Sequence, residues 1–222
     1  MYTVAIIGQK GGSGKTTAAI GLAVAAACAG EAVALIDLDS QANAANWKDR
    51  RPDQDNPAVI SAQIGRLTQT LQAAESHGAT FAVLDTPGKN DSTATEAARR
   101  ADLVLVVSRP HLFDIETLPA VRDLLRIAGD PRAFVLFTNL PPRGHRIAEE
   151  FKALTESYCG ILPCPVHLCQ RVVYSDATAD GKAPQEIDPE GKATAELDRL
   201  FKFTKEILTN GERITKKLAT RA

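Results

Sequence analysis

The chain has 222 residues, 44% hydrophobic and 24% charged, with a formal net charge of −1. That length suits one domain with a full core, and that mix excludes disordered and collagen-like classes. The total advertises no polyanion partner, but its distribution does: from Arg199 onward seven basic residues face two acids, a local +5 that leaves residues 1–198 at −6, a pattern suited to nucleic acid or anionic lipid.

In chain order, Tyr2–Ile7 reads as a β-rich apolar run, followed by a Gly-rich loop and a small-residue helix over Thr16–Ala29. Further strands are expected at Ala32–Asp37, Phe81–Asp85, Leu103–Ser108 and Ala133–Thr138, with helices at Ile64–Ser76, Thr93–Arg100, Asp114–Ala128 and Ile147–Tyr158. Strands that are apolar throughout, without alternation, are buried on both faces, which implies a parallel sheet covered by helices. The alternation of strand and helix gives a doubly wound, mostly parallel α/β fold, whose sites lie beyond the carboxyl ends of the strands. Pro163 and Pro165 punctuate an expected loop, Ala177–Glu190 is rich in Gly, Pro and Asp, and Glu190–Leu208 reads as a closing helix. Asn210-Gly211 ends it, so residues 1–209 form the expected domain and 210–222 a basic tail, with a short helix at Glu212–Thr220.

No apolar run reaches the roughly 18 residues a membrane span needs, and the Gly-rich loop begins by residue 8, where a leader's apolar region would lie. The four cysteines (Cys28, Cys159, Cys164, Cys169) are expected as reduced thiols of a cytoplasmic protein; the evenly spaced last three match no CxxC-type zinc spacing and read as buried thiols, with a metal site as the lesser alternative.

Directly after the first strand stands Gln9-Lys10-Gly11-Gly12-Ser13-Gly14-Lys15-Thr16-Thr17. Glycines let backbone N–H groups converge on phosphate oxygens, and the helix starting near Lys15 adds its positive end. Lys15 then reaches the β and γ phosphates, and the Thr16 hydroxyl holds Mg²⁺. The strict pattern wants Gly where this chain has Gln9.

KGGxGKTT resembles the deviant Walker A loop of the ParA/MinD family of P-loop ATPases, with Lys10 at the family's signature lysine. The resemblance implies that Lys10 crosses a dimer interface to the partner's nucleotide, adding positive charge where the transition state spreads negative charge. Asp37-Leu38-Asp39-Ser40-Gln41 resembles the family's DxDxQ segment, with Ser40 where Pro is usual. By that match Asp39 orients the attacking water, while Asp37 either supports it or caps a helix. Val83-Leu84-Asp85-Thr86-Pro87-Gly88 resembles Walker B and switch II: Asp85 holds Mg²⁺ through a water, and Gly88 is a pivot whose N–H senses the γ-phosphate.

Asn139 stands where family members place an adenine reader, although an Asn at a strand end is also a turn residue. The Leu162–Val166 loop, with Pro163 and Pro165, resembles the segment that stacks on the base. Gln170–Ala177 is similar to the segment before the last helix of small ParF-like members. The family's non-specific DNA surface maps to Arg171, Lys202, Lys205, Arg213, Lys216 and Lys217, with a solvated tail as the alternative for the last three.

The function implied is an ATP- and Mg²⁺-dependent partition ATPase. It dimerises on ATP, binds DNA non-specifically in the nucleoid, and is released when a ParB-type adaptor or centromere-binding protein stimulates slow hydrolysis. A MinD-like membrane regulator needs a bulkier amphipathic end than Ile214 and Leu218 provide. A nitrogenase-iron-protein relative needs cysteines just after switch II, and residues 86–101 contain none. Positioning of a non-DNA cargo uses the same chemistry.

Overall fold

A computed structural model describes residues 1–51, 55–88, 91–143 and 145–210. The elements run β1 (Tyr2–Ile7), α1 (Lys15–Cys28), β2 (Val33–Asp37), α2 (Asn43–Asp49) and β3 (Ala58–Ser61). A 3₁₀ turn (Ile64–Arg66) leads to α3 (Leu67–Ser76), β4 (Phe81–Asp85), α4 (Asp91–Arg100) and β5 (Leu103–Ser108). Then come α5 (Leu112–Ile115), α6 (Leu118–Ile127), β6 (Ala133–Leu140), α7 (His145–Cys159) and β7 (Leu162–Cys169), and finally α8 (Val172–Ala179), α9 (Pro184–Ile187) and α10 (Lys192–Asn210).

The strands form one seven-stranded sheet in the order β3-β2-β4-β1-β5-β6-β7, and every pairing is parallel. Because side chains alternate across a strand, each central strand feeds two cores. Val4, Ile6, Leu35, Val83 and Leu105 point to the face covered by α1 and α10. Ala5, Ile7, Ile36, Leu84 and Val106 point to the face covered by α4 and α6. The ring pairs Phe81–Phe201 and Phe134–Phe203, edge-on at 5.7 and 5.0 Å, dock α10 onto the sheet.

The doubly wound parallel reading holds, and the differences lie at its margins. Both edge strands, β3 and β7, were not expected. β3 is short and only half covered, and β7 contains the two prolines placed above in a loop. Proline is tolerated on an edge, where its missing N–H faces away from the ladder. Pro163 and Pro165 sit at alternate positions of that edge, and the Pro165 carbonyl accepts from Lys152 Nζ at 3.4 Å. The single helix expected over Asp114–Ala128 is two, α5 and α6. Pro119 has no N–H for the Ile115 carbonyl and its ring would crowd that group, so the helix restarts with Pro119 in its first turn. The tail helix at Glu212–Thr220 lies outside the described residues.

Trp47 of α2 is fully buried, its Nε1 donates to the Lys182 carbonyl at 2.9 Å, and the Arg51 guanidinium lies 4.7 Å over its ring. Trp47→Ala is expected to cost about 3–5 kcal/mol of stability, read as a lower urea midpoint; a loss under about 1 kcal/mol would show that α2 is not anchored through this side chain.

Candidate functional site

The loop after β1 is held from inside. Thr138 Oγ1 of β6 donates to the Ser13 carbonyl at 2.6 Å, Ser13 Oγ donates to the Lys10 carbonyl at 3.1 Å, and Lys15 Nζ donates to the same carbonyl at 2.9 Å. Gly14 opens α1 with φ 88°, a conformation that suits glycine. Lys15 is buried, and burial lowers its pKa, with Asp85 and then Asp39 acting against that. Gly11 and Gly12 are exposed, and Thr16 and Thr17 are half-buried at the start of α1, so the loop presents backbone N–H groups and two hydroxyls to the outside.

Two acids end adjacent strands in register, Asp37 of β2 beside Asp85 of β4, and both are buried. Their surroundings separate them. Asp37 accepts from three backbone N–H groups, Asp39 at 3.0 Å, Ala44 at 3.0 Å and Ala45 at 3.1 Å. It therefore holds the first turn of α2, the capping role. Neither Asp85 oxygen has a partner of good hydrogen-bond geometry. Burial raises the Asp85 pKa to about 7; the Thr16 hydroxyl and Lys15 oppose this, and Asp37 and Asp39 add to it.

Beyond β4, Thr86 Oγ1 donates to the Ile6 carbonyl at 2.8 Å, fixing the strand's exit over β1. Gly88 then comes against the loop: a Cβ there would stand 3.3 Å from both Gly11 N and Lys15 Nζ. Asp39 is half-exposed, with Oδ1 accepting the Gln41 N–H at 2.9 Å.

These groups fit a nucleotide phosphate with Mg²⁺. Among the described residues no cluster of three or more His, Cys, Asp or Glu side chains is placed to hold a metal. Mg²⁺ needs no such cage, because it binds through one carboxylate or hydroxyl plus substrate phosphates and water. Thr16 and the unpartnered Asp85 would hold it, and Gly11–Thr17 with Lys15 would hold the phosphates.

A cleft continues from Gly14 and Thr17 past Thr138 and Asn139 to Gln170, Arg171 and Tyr174. Asn139 does not close β6 but lies inside it, exposed at φ 56°, where the β6–β7 register is irregular. Asn tolerates that conformation better than most residues. Pro163 and Pro165 do not join the cleft. Pro163 pairs with Val135, roughly 20 Å along β7 from its cleft end at about 3.3 Å per residue. That end of the cleft is lined by Leu168–Arg171 and Tyr174. Thr138 and Glu196 carry no motif; Asn139 and the Gln170–Ala177 segment are the local signals here, with Arg171 read above as a DNA contact.

Arg171 is paired with the buried Glu196 at 2.5 Å and lines the cleft. Lys205 pairs with Glu31 at 2.5 Å and lies 5.0 Å over the Tyr2 ring, at the opposite end of the sheet. Lys202 is exposed on α10. Arg213, Lys216 and Lys217 lie outside the described residues.

Because the native state binds the Asp85 proton more tightly than the unfolded chain, it gains protons relative to that chain between about pH 4 and pH 7, and stability falls as pH rises through that window. Asp85→Asn is expected to stabilise the nucleotide-free protein in EDTA by about 2–4 kcal/mol at pH 8. The gain should vanish near pH 4. Urea midpoints across the range measure it, and a gain independent of pH would contradict the burial argument.

Residues 4–215 match the family model of the CobQ/CobB/MinD/ParA nucleotide binding domain. Maintenance of carboxysome distribution protein A of Gloeobacter kilaueensis is 33% identical over 141 residues, 63% of this chain, and the match spans 64% of that relative's length. Protein ParA of Rhizobium radiobacter is 28% identical over 185 residues, 79% of this chain and 81% of that one. The MinD cell division protein of Aquifex aeolicus shares the fold, with a TM-score of 0.74 at 17% identity over 91% of this chain and 96% of that one. ATP with Mg²⁺ is the cofactor pair of ParA/MinD ATPases, and the loop, Thr16 and Asp85 suit both. From Val4 onward, then, the chain belongs to the CobQ/CobB/MinD/ParA family of nucleotide-binding domains.

Proposed function

We propose that the chain is an ATP-driven partition switch that closes as a homodimer over bound nucleotide, holds DNA without regard to sequence, and lets go after an adaptor of the ParB type or a centromere-binding protein stimulates hydrolysis. The observation that carries this reading is Lys10. It sits half-exposed at the rim of the phosphate loop, its carbonyl engaged by Ser13 and Lys15 and its ammonium without an ion-pair partner among the described residues. A cation held there is available to phosphates presented by a second copy.

In this reading Lys15 and the loop amides bind the phosphates of the chain's own nucleotide, and Asp39 orients the attacking water beside them. Bound Mg²⁺ supplies electrostatic stabilisation of the phosphates as charge shifts between oxygens. Asp37 holds α2 and the Asp39 turn in place. Gly88, against both Lys15 and Gly11, ties the segment after β4 to the state of the loop. DNA contact falls to Lys202 and to the basic residues Arg213, Lys216 and Lys217, and such backbone-directed binding is steeply salt-dependent.

A second reading keeps the chemistry and changes the cargo. The relative in Gloeobacter kilaueensis is named for carboxysome distribution, which supports positioning of a non-DNA cargo on the same DNA track.

Lys15→Ala is expected to abolish ATP-dependent retention on DNA, measured by gel shift or by a DNA-coated surface at low salt. Retention equal to that of the wild type with ATP would sink the partition model. Lys10→Ala is expected to keep ATP binding within about threefold yet remain monomeric with MgATP by light scattering, while the wild type dimerises. An ATP-dependent dimer of Lys10→Ala would remove Lys10 from the interface.

A further inference from the structure

Glu196 of α10 is 4% exposed, a carboxylate buried beside the cleft and outside the phosphate site. Its Oε2 accepts the Cys169 N–H at 3.0 Å, and its Oε1 accepts Arg171 Nη2 at 2.5 Å. Those donors belong to the last residue of β7 and to the residue that opens α8, and both line the cleft that begins at Gly14 and Thr17. A buried carboxylate is costly unless its partners are well placed. Holding one here fixes where those partners stand.

The carboxylate is itself referenced to the phosphate-loop helix. A Cβ on Gly21 of α1 would stand 2.5 Å from a Leu197 methyl, so α1 and α10 meet at close range one residue from Glu196. Gln185 Nε2 donates to the Gly21 carbonyl at 2.9 Å and closes the same junction. The helix that carries Lys15 and Thr16 and the residue that anchors Arg171 therefore form one rigid frame.

Arg171 and Tyr174 both line the cleft, and Arg171 Nε and the Tyr174 hydroxyl are buried without a hydrogen-bond partner. Arginine offers a flat cationic face for stacking and donors in a fixed plane, and tyrosine adds a ring with a polar end. That combination suits a flat, nitrogen-rich aromatic ligand and not a phosphate, which Lys15 already serves at the other end of the cleft.

We propose that Glu196 is a positioning residue for the nucleobase: by holding Arg171 and the Cys169 backbone it sets the base-side wall of the nucleotide site. The proposal rests on the nucleotide reading of the phosphate loop. Two probes separate the two ideas in calorimetric titrations of the full chain, MgATP and magnesium tripolyphosphate, which has the phosphates but neither ribose nor base.

Glu196→Gln keeps an acceptor for the Cys169 N–H but loses the charge that holds Arg171. It is expected to weaken MgATP binding about tenfold or more while tripolyphosphate stays within about twofold of wild type. Arg171→Lys keeps a charge for Glu196 but loses the plane, and is expected to show the same split. It carries the question if Glu196→Gln does not fold. The double variant should bind MgATP no more weakly than the poorer single one, because both act through one contact. MgATP affinity within about twofold of wild type in a folded Glu196→Gln, or parallel loss of both probes in Arg171→Lys, would overturn the proposal. A wild type that binds neither probe would overturn the nucleotide reading itself, and that outcome is visible before any variant is made.

Discussion

A carboxylate buried in a parallel sheet, with no well-formed hydrogen bond to either oxygen, is the constraint around which this molecule is arranged. Asp85 is fully buried and unpartnered, and burial pushes its pKa to about 7. Burial of this kind is tolerated where a cation is supplied from outside, because a bound ion inverts the local electrostatics. Asp37, its neighbour in register, shows that the fold is able to satisfy an acid at this position when that serves the structure. Three backbone N–H groups converge on Asp37 and none on Asp85. The contrast between two equally buried acids carries more information than either one alone.

The sheet order explains why the necessary groups converge. β1 lies between β4 and β5, so the phosphate loop leaves the sheet directly beside the end of β4, where Asp85 stands opposite Ile6. Thr138 reaches the same loop from β6 through Ser13. Three strand ends thus meet at one short loop. Parallel pairing brings all of their carboxyl ends to one edge, where ligands of open α/β sheets bind.

How far this was legible in the sequence follows from how each part is encoded. The phosphate loop is contiguous, so its chemistry can be read along the chain, and the five central strands announce themselves as apolar runs because both of their faces are covered. The edge strands β3 and β7 lack that pressure, and the prolines of β7 read as a loop until an edge is known to need no N–H on its outer side. The far wall of the cleft is assembled from β6, β7 and α8 with α10 behind it, and no local spacing records such a meeting. Counting charge along the sequence does not record ion pairing, for a related reason. Arg171 and Lys205 are basic in sequence, but Glu196 and Glu31 fold against them, and those acids lie far from their partners along the chain.

Two buried ion pairs frame the region between α2 and α10. Arg51 bonds both oxygens of Glu186, at 2.8 and 2.7 Å, and donates to the Gly181 carbonyl at 3.1 Å, while Arg171 bonds Glu196. Such pairs contribute little net stability compared with apolar packing of the same volume, but once one partner is buried the other is no longer free to move. Here each pair fastens a different wall of the site. Arg51 and Trp47 tie α2, whose first turn is held by Asp37, to residues 181–186, and Glu196 ties Cys169 and Arg171 to α10. Gln185 and Leu197 then bring both ties to the same glycine of α1. The two ends of the cleft are therefore set by one frame, in which the ion pairs fix position while Trp47 and Leu197 supply the apolar packing.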